Sequence, residues 1–200
     1  MNHYEAHIEK SEITAMPTVA FEGRIITIDT VKDTDIAIKA LSHEKAIGID
    51  TETRPSFRKG VQHDVSLIQL STLDTCFLIR LNRVGMPDSL VSLLENKEIA
   101  KIGLSLHDDK QALYKRRKFN AEGFVELQQL VKEYGIEEMS LQKIFAIIFK
   151  QRISKSQQLS NWENDVLTDR QKIYAATDAW SCLKIYNQLT QTNEIGRAHV

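Results

Sequence analysis

The chain is 200 residues long, enough for one well-buried domain and short for two. Its 26 Lys and Arg against 27 Asp and Glu leave a formal net charge of -1, which excludes a globally basic nucleic-acid binder but allows a local basic patch. Two cysteines, Cys76 and Cys182, lack metal-site spacing, and no apolar run reaches the length of a bilayer span. A reduced, cytoplasmic protein with no membrane partner is therefore expected.

Met1 to about Thr18 is polar and without periodicity, which predicts a loosely held lead-in over residues 1–20. The β-branched run Arg24-Ile-Ile-Thr-Ile28 predicts a strand, and Ile36, Ala37, Ala40 and Leu41 a helix from Asp33 to about Ser42. Ala46-Ile-Gly-Ile-Asp-Thr-Glu52 is the next strand, followed by a loop from Thr53 to Asp64 that holds Pro55 and Gly60. Strands Val65–Thr72 and Thr75–Arg80 complete an antiparallel meander. Beyond it the pattern predicts a helix at Pro87–Glu95, a strand at Ala100–Leu104 and a helix at Asp108–Lys118. A short strand at Phe124–Leu127 and helices at Leu127–Tyr134 and Ser140–Lys150 follow, with Gly135 as a stop between them. The last helix starts at Thr168, where Thr-x-x-Gln171 has capping-box form, and runs to about Thr190. A meander followed by alternating strands and helices predicts an α/β fold, a mixed five- to six-stranded sheet flanked by helices. There is no internal repeat and no Gly-rich phosphate loop.

Three stretches place acids where chemistry can use them. Side chains alternate along a strand, so Ala46, Gly48, Asp50 and Glu52 share one face while Ile47 and Ile49 take the other. Two adjacent carboxylates at the end of an apolar strand repel each other and are costly to desolvate without a cation. A divalent metal is one answer; a strand running out into a solvated loop is the other. In the last helix, positions 174, 175, 178, 182, 185, 186 and 189 form one packing stripe with Asp178 in its middle and Tyr174 one turn before it. A buried acid there needs a metal, an ion pair or a cap. The third stretch, Lys101-Ile-Gly-Leu-Ser-Leu-His-Asp-Asp-Lys110, opens a helix with two acids, of which dipole capping explains one.

Asp50-x-Glu52, an acid at Asp109 and Tyr174-x-x-x-Asp178, in that order and at domain-scale spacing, resemble the motifs of the 3′→5′ exonucleases with four acids and a tyrosine (DEDDy). The segments Ser154-Lys-Ser-Gln-Gln-Leu-Ser-Asn-Trp162 and Leu167-Thr-x-x-Gln-Lys-Ile-Tyr-Ala-Ala-Thr-Asp178 are similar to the branch of the Werner-syndrome exonuclease and ribonuclease D. The resemblance covers roughly Phe21 to Gln191 and defines a nuclease domain at 21–191. It implies a ribonuclease H-like fold and two Mg²⁺ or Mn²⁺ ions. Asp50 would bridge both, Glu52 and Asp178 would complete the first site, and Asp109 would support the second. Asp109 rather than Asp108 aligns with the family acid when Gly103 and Leu113 are kept in register. Hard cations favour such oxygen ligands, and a pair about 4 Å apart stabilises both oxygens of an in-line displacement. Tyr174 is expected to orient the attacking water, because a phenol of pKa near 10 is a poor base at neutral pH. His107 is expected to be a surface or outer residue, since hard-cation sites are oxygen-built.

The implied partner is a single-stranded or 3′-ended nucleic acid. Phe57 is the candidate wedge against terminal bases, with Arg58, Lys155 and Ser156 as candidate strand contacts; loop packing and ordinary solvation are their structural alternatives. For Lys115-Arg-Arg-Lys118 the structural explanation, cations at a helix C-terminus, is the stronger. Trp162 is expected to be a packing anchor. Residues 194–200, Glu-Ile-Gly-Arg-Ala-His-Val, leave the helical pattern without a linker and look like an adapter read-through. They are expected to be a non-native tail, with the natural chain continuing past about Asn193. The expected activity is metal-dependent release of nucleoside 5′-monophosphates from a 3′ end, DNA slightly favoured over RNA. The rivals are a catalytically silent nucleic-acid-binding module and an interaction domain on the same fold. The first is disfavoured because no motif acid is missing, the second because it has no need of Asp178 on a packing stripe.

Overall fold

The computed structural model describes residues 4–197, with side chains through Gln191. Segments rich in β-branched and aromatic residues form the strands: β1 (Arg24–Ile28), β2 (Ala46–Thr53), β3 (Val65–Ser71), β4 (Thr75–Ile79), β5 (Ala100–Gly103) and β6 (Phe124–Glu126). Among the described residues they make one mixed sheet, ordered β1-β4-β3-β2-β5-β6. β2, β3 and β4 are the antiparallel meander; β1 joins β4 in parallel, and β5 and β6 continue in parallel beyond β2. β2, the strand of the acids, is thus an inner strand.

The helices are α1 (Lys10–Ala15), α2 (Val31–Leu41), α3 (Leu81–Val84), α4 (Asp88–Glu95), α5 (Leu106–Arg116), α6 (Leu127–Leu130, continuing as a 3₁₀ turn over 131–134), α7 (Leu141–Phe149) and α8 (Asp169–Arg197). They cover both faces of the sheet and make two cores. On one face, Ile47 and Ile49 pack with Ile68, Leu70, Leu41 and Leu90 under α2, α4 and α5. On the other, Leu67 and Ile102 pack with Phe145, Ala175, Cys182 and Ile185 of α7 and α8. Cys76 and Cys182 are buried free thiols, as expected of packing residues. Among the described residues no helix is long and apolar enough to cross a membrane.

α8 is capped as its sequence predicts: Gln171 N donates to Thr168 Oγ1 (3.3 Å) while Thr168 N donates to Gln171 Oε1 (3.0 Å). The loop before it is pinned by Arg80, 1% exposed, whose guanidinium donates to Asp165 O (2.7 Å) and Asn164 O. Trp162 of that loop is fully buried, 6.1 Å from the Tyr174 ring.

Four expectations need correction. The lead-in is docked rather than loose. Ile8 and Phe21 are buried, Tyr4 N donates to Tyr134 O (3.2 Å), and Val19 N donates to Arg152 O (2.9 Å). Its apolar residues are too widely spaced to register as a period. The four-residue α3 is an extra element, too short to carry a pattern. α5 begins at Leu106, not Asp108. Glu126, 20 and 21 residues away, accepts from Leu106 N (2.8 Å) and Ser105 N (3.0 Å), and Ser105 takes a left-handed backbone (φ 60°). α8 continues through Arg197 instead of ending near Thr190. Of the proposed tail 194–200, the last three residues and all of the side chains lie outside what is described.

Candidate active site

Strand alternation carries Gly48, Asp50 and Glu52 onto the face of β2 that meets α8. Gly48 lets the helix come close: a Cβ added there would fall 1.9 Å from the carbonyl oxygen of Ala179. Asp178, the neighbour of Ala179, is thereby brought over the end of β2. Ligand oxygens of Asp50, Glu52 and Asp178 lie within 4.8 Å of one another. All three residues are half-buried, and Asp178 lines a cleft with Tyr174 and Lys155.

Carboxylates held this close in a partly dry site resist ionising together. Burial, then the charges of Glu52, Asp109 and Asp178, pushes Asp50 well above the usual carboxylate range. Burial and the charges of Asp178 and Asp109 push Glu52 up to about 9. Burial lifts Asp178 to about 7 against two opposing effects, a hydrogen bond from the Tyr174 hydroxyl and the positive charge of Lys155. Tyr174 itself is raised above its ordinary value by burial and by the acids beside it, so its hydroxyl stays protonated as a donor. A cluster that prefers protons when no cation is bound, offers only oxygen ligands and borders a cleft fits hard divalent metal ions.

Asp109 reaches the same end of β2 by another route. It sits in the first turn of α5 and accepts a hydrogen bond from Thr51 Oγ1 (2.5 Å). Burial raises it to about 6, with the Thr51 bond acting in the opposite direction. It stands outside the tight trio, yet its charge is felt by Asp50 and Glu52. Thr51 is a residue that sequence reasoning passed over; its signal was its place between the two acids of the strand. Asp108 is exposed, and His107 is, as expected, a surface side chain, bonded to Gln111 (2.9 Å).

Among the candidate strand contacts, Phe57 is 83% exposed in the loop after β2, beside Arg54, Arg58 and His63. Arg54 of that loop pairs with Glu163 (3.1 Å). Lys155 lines the same cleft as Tyr174 and Asp178. Ser156 instead lines a neighbouring groove with Thr18 and Arg170, on another side of Tyr174. In the basic run 115–118, Arg116 Nε donates to Val65 O (2.5 Å) and Arg117 binds Met86 O (2.8 Å) and Asp88 (2.6 Å). These two arginines hold the fold together.

Residues 25–194 match the family model described as 3′-5′ exonuclease. The chain belongs to that family. It is 32% identical over 197 residues to the mouse (Mus musculus) bifunctional 3′-5′ exonuclease/ATP-dependent helicase WRN, covering 92% of this chain and 14% of that protein. It is 28% identical over 189 residues to a 3′-5′ exonuclease of Arabidopsis thaliana, covering 86% of this chain and 66% of that one. The chain thus spans less than two thirds of either relative. Among solved structures, the Nibbler EXO domain of Aedes aegypti superposes with a TM-score of 0.78 at 24% identity, over 90% of this chain and 99% of that one. Escherichia coli RNase D gives 0.76 at 22% identity, over 86% of this chain and 46% of the other. The fold is the ribonuclease H-like exonuclease fold that the motifs imply, with six strands.

Proposed function

We propose that this chain is the catalytic domain of a metal-dependent 3′→5′ exonuclease. It releases nucleoside 5′-monophosphates from a single-stranded or 3′-ended nucleic acid, with DNA slightly favoured over RNA. The observation that carries this reading is the convergence of Asp50, Glu52 and Asp178 within 4.8 Å at the end of an inner strand. The preference for DNA rests on the Werner-type segment 154–178.

Asp50, Glu52 and Asp178 would hold one Mg²⁺ or Mn²⁺ ion, and Asp50 with Asp109, from its position on Thr51, would hold a second. Bound there, the ions supply Lewis-acid stabilisation to the attacking and leaving oxygens of a phosphoryl displacement. The chain's own residues do the rest. Tyr174, kept protonated, orients the attacking water by hydrogen bonding and does not take its proton. Lys155 lies beside Asp178, where a phosphate of the strand can meet its charge. Phe57 offers a ring to the terminal bases, a contact that suits any base. Arg58 and Ser156 flank this path on either side.

A gel time course on matched 5′-labelled DNA and RNA strands with Mn²⁺, comparing the native protein with Asp50→Ala, tests the reading. Shortening from the 3′ end that the mutation abolishes is the expected result, with DNA the faster substrate. No shortening of either strand by the native protein, with binding retained, would sink it. Tyr174→Phe separates orientation from metal holding. Turnover at saturating Mn²⁺ should fall roughly 10- to 100-fold, the cost of a misplaced reactant; Mn²⁺ affinity should also fall, because the lost hydroxyl donates to Asp178. Native turnover at saturating Mn²⁺ would confine Tyr174 to holding Asp178.

A further inference from the structure

β3 is buried along its whole length, and one residue in it is out of character. Gln69 is 0% exposed, and among the described residues neither its Oε1 nor its Nε2 has a hydrogen-bond partner. Leaving buried polar atoms unpaired is costly, and the apolar Leu67, two residues earlier, occupies the same face of the strand at no such cost. The register says what the amide is next to. Gln69 pairs with Asp50 across the antiparallel β2–β3 ladder. Residues directly opposed in such a ladder project on the same side, with Cβ atoms about 4.5–5.5 Å apart. Gln69 and Asp50 therefore project from neighbouring positions on the α8 face. On the other flank of β2 the pairing with β5 ends at Gly48↔Ile102, and Leu104, which the continued register would set beside Asp50, is apolar and offers no donor.

We propose that Gln69 is a positioning residue for Asp50. When Asp50 is ionised, the Nε2 amide donates to one of its carboxylate oxygens and leaves the other directed at the cations. Without that donor, the carboxylate can rotate into the cluster and away from the geometry that serves both metal positions. A neutral amide suits the task because it donates without adding charge, whereas a Lys or Arg there would compete with the cations. The inference rests on the reading of Asp50 as a metal-holding acid.

The test uses the full chain with Gln69→Met, which keeps the volume and removes both polar atoms. Gln69→Leu serves as a second apolar variant and Asp50→Ala as a control. Mn²⁺ binding is followed by electron paramagnetic resonance of the free ion, and folding by thermal melts in chelator. Replacing an unpaired amide by an apolar group should leave the melting temperature equal or higher. Mn²⁺ affinity should fall roughly 10- to 100-fold, the usual effect of losing a residue that orients a metal ligand. A folded apolar variant that binds Mn²⁺ within about twofold of the native protein, while Asp50→Ala loses binding, would overturn the role of Gln69 alone. Unchanged binding by Asp50→Ala would overturn the metal reading and this inference with it. Loss of folding in both apolar variants would make Gln69 a structural residue and overturn the inference.

Discussion

Replacing Asp178 with Asn should raise the melting temperature of the metal-free protein and at the same time lower 3′-end shortening roughly 10³-fold, as expected when a fixed charge at the reacting centre is lost. The two effects have one cause. Asp178 is pushed from an ordinary 3.8 to about 7, chiefly by burial, and Glu52 from 4.5 to about 9. An acid whose folded pKa is raised binds its proton more tightly in the folded state than in the unfolded chain. Its stabilising proton is fully present below about pH 4 and is lost as pH rises through the folded value. The metal-free protein should therefore lose stability from about pH 4 upward, through Asp178 until about pH 7 and through Glu52 until about pH 9. At 1.36 kcal/mol per pH unit, Asp178 accounts for up to roughly 4 kcal/mol of that loss by pH 8.

Asn carries no charge and avoids this loss. Melts in chelator at pH 5, 7 and 9 should fall steeply for the native protein and less for Asp178→Asn. Added Mn²⁺ should restore the native protein at high pH, because a ligand that binds only the folded state stabilises it. The variant should recover less. Parallel melting curves for the two proteins in chelator would show that Asp178 is not held under strain by the cluster.

The second large effect is expected at Gly48. A Cβ there would meet Ala179 O at 1.9 Å, Ala179 C at 2.7 Å and Leu183 Cβ at 3.3 Å. The first two are backbone atoms of a helix and cannot rotate away, so α8 must shift from the sheet. Overpacking of this kind costs about 1–3 kcal/mol or more, and for Gly48→Ala we expect about 3 kcal/mol in urea unfolding. The functional loss should exceed the structural one. Ala179 follows Asp178 directly, so a helix that retreats from β2 carries Asp178 away from Asp50 and Glu52. Mn²⁺ affinity of the still-folded fraction should drop at least about tenfold, because metal sites tolerate ligand displacements of only a few tenths of an ångström. A Gly48→Ala protein that keeps both its unfolding midpoint and its Mn²⁺ affinity would show that the contact does not set the spacing of the acids.

The elements that carry the chemistry are written in contiguous residues. Alternation in 46–52 placed Asp50 and Glu52 on one face with Gly48. Helical spacing from Tyr174 to Leu189 placed Asp178 on a buried stripe, and Thr168 with Gln171 marked where that helix begins. These are properties of contiguous residues, since a strand repeats every two and a helix every 3.6. The order of the motifs then sufficed for the family and for the ribonuclease H-like sheet.

Relations between distant positions come from packing and are not legible in any one segment. The docking of the lead-in, with Glu137 N donating to Ala6 O (2.9 Å), leaves no local trace. Neither does the capping of α5 by Glu126. Asp109 had a motif to mark it, but its hold on Thr51 joins residues 58 apart. Gln69 reads as one of three polar residues in β3 until the register sets it opposite Asp50. The closeness of the three carboxylates depends on Gly48 meeting Ala179, and nothing within either segment encodes that approach. Periodicity states which way a side chain faces. How near two faces come is set by packing between elements, and here by one missing Cβ.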